Sequence, residues 1–374
     1  MSTSPAWWKP AVWFVYVIIV FEILFMISPF ALYYYSAYAH FLNLLGRSPL
    51  TAWLDRFFLP HFSHTSSPVL EWLARWDETI FLTGLVLFLV GFVQVYATKL
   101  LRRGQPVTGG LYRWIRHPQY LMLSLMGMGV LLHWPRFLVL VGFVTMIFLY
   151  YFLARHEEQR CLARYGESYG QYVGRTGMFF PRGWFGWIPR FLPARGWARA
   201  LALLALYVAL VGAAVLAGLW LQSYSLAHIS AYPTPDVAVL SPAQIPSARL
   251  AQAVELAAGH AEVAAALEAR GYGKGEKFLA YVVPVDWRLP DLPMEHYPAG
   301  GHHTPHAFDP DALKVLFARV KLYDTSAQGL DIVRRAVRRE PIALVKVNLA
   351  ANAVLGWEKP PATVRWGDVP TPYF

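Results

Sequence analysis

The sequence predicts an all-α polytopic membrane helical bundle of about five transmembrane helices, with a small α+β extramembrane domain at the C-terminal end. Three observations predict it. Apolar residues make up 56% of the 374 and charged residues only 15%, a balance expected where segments dissolve in lipid. Long uncharged runs recur through the first 228 residues. The net charge of +10 also falls entirely there, since the last 146 residues hold 15 Lys/Arg and 15 Asp/Glu.

A bilayer core takes about 20 apolar residues of helix. Ala11 to Tyr35 supplies the first span, with Glu22 inside it, and Thr79 to Thr98 the second. Pro118 to Leu132 and Phe137 to Ala154 are shorter and are parted only by His133, Trp134, Pro135 and Arg136, which reads as a tight helical hairpin. Ala200 to Ala227 is the longest uncharged run and the fifth span. The resulting division is a first helix and outer loop over 1–78, a membrane core with its tail over 79–197, a last helix over 198–228, and a linker and α+β domain over 229–374.

Orientation follows from the basic residues. With the N-terminus in the cytoplasm, inner segments hold fourteen Lys/Arg and outer loops hold four, Arg47, Arg56, Arg75 and Arg136. That bias predicts an integral protein of a bacterial inner membrane with its C-terminal domain in the periplasm. Charge interleaved with apolar spans favours the lipid bilayer as partner and argues against nucleic acid. The first apolar run is too long for a usual cleaved signal and has only Lys9 ahead of it, so it is read as a retained span. Trp7, Trp8 and Trp13 before it and Tyr33, Tyr34 and Tyr35 at its end are expected interfacial anchors. Glu22 is costly near mid-span unless paired or protonated, so it is expected to face the bundle in a functional role. The single cysteine, Cys161, excludes an internal disulfide and a Cys-based zinc site.

Chemistry concentrates between Gly109 and Pro181. The stretch opens GGLYRWIRHPQY, Gly109 to Tyr120. Pro118 suits the first turn of a helix, where its missing N–H costs nothing. Arg116 and His117 then stand at a helix N-terminus, where first-turn N–H groups and basic side chains favour a carboxylate; topology determinants are the plainer reading. Gly127 and Gly129 on the same helix allow close approach of another helix or of a flat ligand. The fourth span runs without a breaker into ARHEEQRCLARYG, so one helix of about 43 Å should project past the membrane. Glu157 and Glu158 are adjacent, so their side chains point about 100° apart. One is expected to meet a ligand and the other to pair with a base, for which Arg155, Arg160 and Arg164 are the local candidates. Tyr165-Gly166 reads as a helix stop. Tyr169 and Tyr172 follow at i, i+3 on a short helix that looks like a lid.

Taken together these residues resemble the isoprenylcysteine carboxyl methyltransferase and phospholipid methyltransferase superfamily. The resemblance rests on Gly110, Tyr112, Arg116-His117-Pro118, Tyr120, Glu157-Glu158, Tyr165-Gly166, Tyr169, Tyr172 and Pro181, and covers roughly residues 75–190. It implies an enzyme that moves a methyl group from S-adenosyl-L-methionine to a lipid-like or small hydrophobic acceptor at the cytoplasmic membrane face. By that resemblance Tyr112, Arg116, His117, Tyr120, Gly127, Glu157 and Glu158 are cofactor-binding, and His117, Glu157 and Glu158 carry the catalytic roles. Transfer from a sulfonium needs alignment and exclusion of water. A carboxylate or thiolate acceptor needs no base, whereas an ammonium must first lose a proton to His117, Glu157 or Glu158. Two other readings compete: an NADPH-dependent membrane reductase of isoprenoid or sterol-like substrates, and a non-enzymatic anchor for the outer domain.

In the C-terminal region, Pro233, Pro235, Pro242 and Pro246 mark 229–246 as a linker. Ser247 to Ala269 has helical period, Phe278 to Val283 and Val315 to Leu322 read as strands, Gly329 to Arg338 as a helix, and Ala343 to Leu349 as a strand. His296, His302, His303 and His306, near Asp309 and Asp311, are zinc-type residues. No helical His-x-x-x-His face accompanies them, and no metal is expected.

Overall fold

The structure is a computed structural model that describes residues 17, 41, 44–60, 64–101, 106–184, 196–287 and 304–360. Glu22, the interfacial anchors, all of the expected first span but Val17, and His296, His302 and His303 lie outside them. The chain forms two compact units. One comprises 1–27, 75–133 and 139–217, and the other 28–74, 134–138 and 218–374.

Helices dominate the first unit: α1 (Pro68–Leu101), α2 (Pro118–His133), α3 (Phe137–Tyr165), α4 (Glu167–Arg175) and α5 (Trp197–Ala227). Pro118 opens α2 and Gly166, at φ +57°, ends α3. The second expected span begins earlier than its apolar run. Nothing after Pro68 breaks a helix, so the charged residues Glu71, Asp77 and Glu78 ride on the extension of α1. Three helices are long and apolar enough to cross a membrane, Pro68–Thr98, Phe137–Tyr165 and Trp197–Ala227. The described residues thus account for three of the about five expected spans, and the first expected span, Val17 apart, lies outside them. With 16 residues, α2 rises only about 24 Å, short of a core of roughly 30 Å.

Glycines set how α2 packs. A Cβ on Gly84 of α1 would stand 2.7 Å from the Met126 nitrogen, and one on Gly129 of α2 would stand 2.6 Å from the Phe81 nitrogen. Each helix thus presses on the backbone of the other through a missing side chain. On its other side, a Cβ on Gly127 would stand 3.0 Å from the Phe143 ring and the Met146 methyl of α3. Gly129→Ala is expected to force α1 and α2 apart at a cost of about 1–3 kcal/mol. Thermal unfolding in detergent checks this, and an unchanged midpoint would contradict the close packing. Thr145 Oγ1 and the Tyr207 hydroxyl, 2.9 Å apart, tie α3 to α5.

The second unit is built on a six-stranded sheet in sequential order, β1 (Ser230–Pro233), β2 (Val237–Ser241), β3 (Phe278–Pro284), β4 (Ala312–Leu322), β5 (Ala336–Asn348) and β6 (Ala353–Glu358). Only β2 and β3 run parallel, and the crossover between them carries α6 (Ser247–Ala258) and α7 (Ala261–Glu268). Part of the expected linker is thus a hairpin. Proline is tolerated because β1 is an edge strand whose Pro233 stands at its end, and Thr234 caps the turn by accepting from Val237 N. The expected helix at 329–338 shrinks to α8 (Leu330–Arg335), and β5 takes over at Ala336. Residues 56–58 pair with the turn between α2 and α3. Phe58 N donates to Pro135 O at 2.8 Å, and Phe137 N to Arg56 O at 3.0 Å.

Candidate active site

The segment ahead of α2 is held on two sides. Gly110 adopts φ +57° as it enters a single 3-10 turn, Gly110–Arg113, and the Gln94 side chain on α1 donates to Gly109 O. Beyond that turn, Arg116 N and His117 N donate to Gly177 O and Met178 O at 2.9 and 3.0 Å. The chain after α4 is therefore strapped in parallel along residues 115–117, as a lid would be. The Tyr172 hydroxyl adds a bond of 2.6 Å to Tyr112 O.

α3 brings its two glutamates to this strap. Glu158 Oε1 accepts from Arg116 Nε at 2.5 Å. The same guanidinium donates through Nη1 to Val173 O at 3.2 Å and to Thr176 O. The base that pairs with a glutamate is thus Arg116, 42 residues away, and not Arg155, Arg160 or Arg164. Those three are exposed, whereas Glu158 is buried and turns inward where they do not follow. Glu157 points elsewhere, as adjacent helical positions require. Its Oε1 accepts from the Tyr120 hydroxyl at 2.7 Å.

His117 stands between the carboxylates, with Nδ1 3.4 Å from Glu157 Oε2 and Nε2 3.5 Å from Glu158 Oε1. Those separations are long for hydrogen bonds and suit an ion pair. Gln119, the variable position of the His-Pro-x-Tyr run, reaches His117 Nδ1 at 3.4 Å and accepts from the Tyr112 hydroxyl at 3.1 Å. Tyr120 stacks on Tyr150 with ring centroids 4.9 Å apart. Neither Gln119 nor Tyr150 stood out in the sequence. Helical spacing, seven residues before Glu157, could have marked Tyr150, whereas no sequence signal marks Gln119.

Four of the expected site side chains, Arg116, His117, Glu157 and Glu158, thus form one charge cluster, with Tyr120 bonded to it and Tyr112 joined through Gln119. Gly127 is not part of it, because the ring of Phe143 and the methyl of Met146 fill the space beside its backbone. Exposure separates the members. The His117, Glu158 and Arg116 side chains are 4%, 8% and 9% exposed, but Glu157 is 31% exposed. Glu157 is the member a ligand can reach.

Burial opposes charge on the imidazole, but the facing carboxylates of Glu157 and Glu158 outweigh it and raise the His117 pKa. A raised folded-state pKa gives stability that is complete below the ordinary histidine value and is lost as pH rises through the folded value. Wild type is therefore expected to lose thermal stability relative to His117→Gln as pH climbs above neutrality. A constant difference between the two in a pH series would refute the charged imidazole. Burial pushes the Tyr172 phenol up to about 12, and it raises Tyr112 and Tyr169 as well. These phenols are donors at neutral pH, not bases.

Residues 79–168 match the model of the phospholipid methyltransferase family. The matched segment is about a quarter of the chain and contains Tyr112, Arg116, His117, Tyr120, Glu157 and Glu158. No curated protein and no solved structure matches the chain. The family is one of methyltransferases, so the resemblance drawn from the His-Pro and Glu-Glu elements holds for this segment and supports a membrane enzyme of that class.

Proposed function

We propose that the protein transfers a methyl group from S-adenosyl-L-methionine to a lipid-like or membrane-dissolved acceptor, at a site built from Tyr112, Arg116, His117, Tyr120, Glu157 and Glu158. The observation that carries this reading is the convergence of those side chains inside the segment that matches the family. S-adenosyl-L-methionine supplies an electrophilic methyl on a sulfonium, together with an ammonium, a carboxylate and ribose hydroxyls for recognition.

The donor and acceptor set fits such a group. Glu157, the reachable carboxylate, accepts hydrogen bonds from hydroxyl or ammonium donors and offsets positive charge nearby. Tyr120 fixes the Glu157 rotamer. The N-terminal end of α2, with His117 just ahead of it, favours a carboxylate. Glu158 holds Arg116, which in turn grips the two carbonyls of the lid, so this pair positions rather than reacts. Where the acceptor is an ammonium, Glu157 is the group placed to take its proton.

The second unit gathers 28–74, 134–138 and 218–374, which include three of the four basic residues that the positive-inside bias assigns to the outer face, Arg47, Arg56 and Arg136, while Arg75 falls in the first unit. That grouping is in keeping with a C-terminal domain on the face opposite the N-terminus and the site, which we read as the periplasmic and cytoplasmic faces of a bacterial inner membrane. The reading is tested by incubating the full chain in lipid nanodiscs with methyl-labelled cofactor and extracting the lipids. Label in the organic phase, abolished by His117→Ala, is expected. Label in neither phase, with NADPH oxidised on addition of isoprenoid lipids, would replace methyl transfer by reduction.

A further inference from the structure

Gln119 is the second residue of α2, and side chains in a helix lean back toward its N-terminus. That lean carries the amide past the start of the helix to two groups at once. Oε1 accepts from the Tyr112 hydroxyl at 3.1 Å, and Nε2 stands 3.4 Å from His117 Nδ1. Among the described residues this amide is the one hydrogen-bonding partner of the imidazole, whose own Nε2 is buried without one. The remaining groups that face the ring act through charge or stacking. Glu157 and Glu158 of α3 lie 3.4 and 3.5 Å from it, and Arg116 is already held by Glu158. The Tyr120 ring stacks on it at 5.8 Å, and Phe179, from the chain after α4, is uncharged.

An amide side chain has a donor end and an acceptor end of nearly equal size, and half a turn exchanges them. With the amide N–H toward Nδ1, that nitrogen must offer a lone pair, so this arrangement belongs to a neutral imidazole. A protonated Nδ1 needs an acceptor instead. The amide must then present Oε1 to the ring, and its N–H swings to the Tyr112 oxygen. A phenol serves both arrangements, since its hydroxyl donates or accepts, and burial keeps the Tyr112 hydroxyl protonated throughout. The two bonds to the ring are unequal. One from an imidazolium is charge-assisted and about twice as strong as one to the neutral ring, so the amide favours the proton.

We propose that Gln119 is a positioning residue for His117: its amide turns end for end as the ring gains or loses a proton, and the Tyr112 hydroxyl reverses with it. When His117 is charged, the Tyr112 hydrogen is released from Gln119 and points to another acceptor. On the methyl-transfer reading that acceptor is an oxygen of the bound cofactor, and only this last step rests on that reading. A site so linked offers its tyrosine donor only while the imidazole carries its proton.

The test follows the His117 imidazole by NMR in the full, histidine-labelled chain in detergent without ligand, its signal being the one lost in His117→Gln. Gln119→Met keeps the length and loses the amide, so His117 should hold its proton about three- to tenfold more weakly than in wild type. Gln119→Glu accepts but cannot donate, so the hold should tighten. A titration unchanged in Gln119→Met, or moved to higher pH, would overturn the proposal, because an amide fixed as a donor favours the neutral ring. Should Gln119→Met fail to fold, a titration in Gln119→Glu no higher than in wild type would overturn it equally. Calorimetry with S-adenosyl-L-homocysteine across the same pH range reads the ligand side. Affinity should fall as His117 loses its proton, and fall less steeply in Tyr112→Phe; an equal fall there would overturn the link to the hydroxyl. Absence of binding in every protein, with the His117 shifts as stated, would defeat the methyl-transfer reading and uphold the role of Gln119.

Discussion

Replacing Arg116 by alanine is expected to destabilise the helical unit by about 3–5 kcal/mol, the usual cost of stranding one partner of a buried ion pair. Both side chains are under a tenth exposed, so Glu158 would keep its charge in a place water does not reach. Two carbonyls of the lid, Val173 O and Thr176 O, would lose their donor in the same step. A double variant, Arg116→Met with Glu158→Leu, removes both charges and should recover much of the lost stability, although the carbonyls still lack a donor. Thermal unfolding of the three proteins in one detergent checks this. A double variant no better than the single one would mean that the pair is not what holds the strap.

The second large effect concerns Glu157. On the proposed reading, Glu157→Gln keeps the shape and the bond from Tyr120 but removes the charge that meets the ligand. Cofactor affinity should fall by about 10- to 100-fold, the range for losing a charged hydrogen-bond partner, while thermal stability should fall less than in Arg116→Ala, because Glu157 is partly exposed and His117 keeps Glu158. Arg116→Ala should behave the other way, lowering stability first and binding only as the lid loosens. A binding assay run beside a melting curve separates the two. Equal losses of stability in both variants would merge the roles assigned to them.

Long apolar runs made the ends of α3 and α5 readable, because composition alone dictates a helix in lipid and Gly166 stops one. The start of α1 was hidden, since Glu71, Asp77 and Glu78 carry a charged helical turn beyond the apolar stretch. β1 and β2 were masked by prolines that mark turns: Pro233 is tolerated at the end of the edge strand β1, and Pro235 and Pro242 only flank β2. β6 was missed because Ala353 to Glu358 mixes apolar, glycine and charged residues without alternation. In the site, the identity of the acidic and basic residues was legible from the spacing around His-Pro and Glu-Glu. Their pairing was not. Helical spacing names neighbours within a turn, and Arg116 reaches Glu158 only because the helical hairpin brings residues 42 apart together.

Calorimetric titration of S-adenosyl-L-homocysteine into the full chain in detergent tests the central claim most directly. The account predicts one saturable site per chain, weakened strongly by Glu157→Gln and by His117→Ala and unaffected by Arg338→Gln. No heat of binding in a folded wild-type protein, or equal binding in all four proteins, would contradict it.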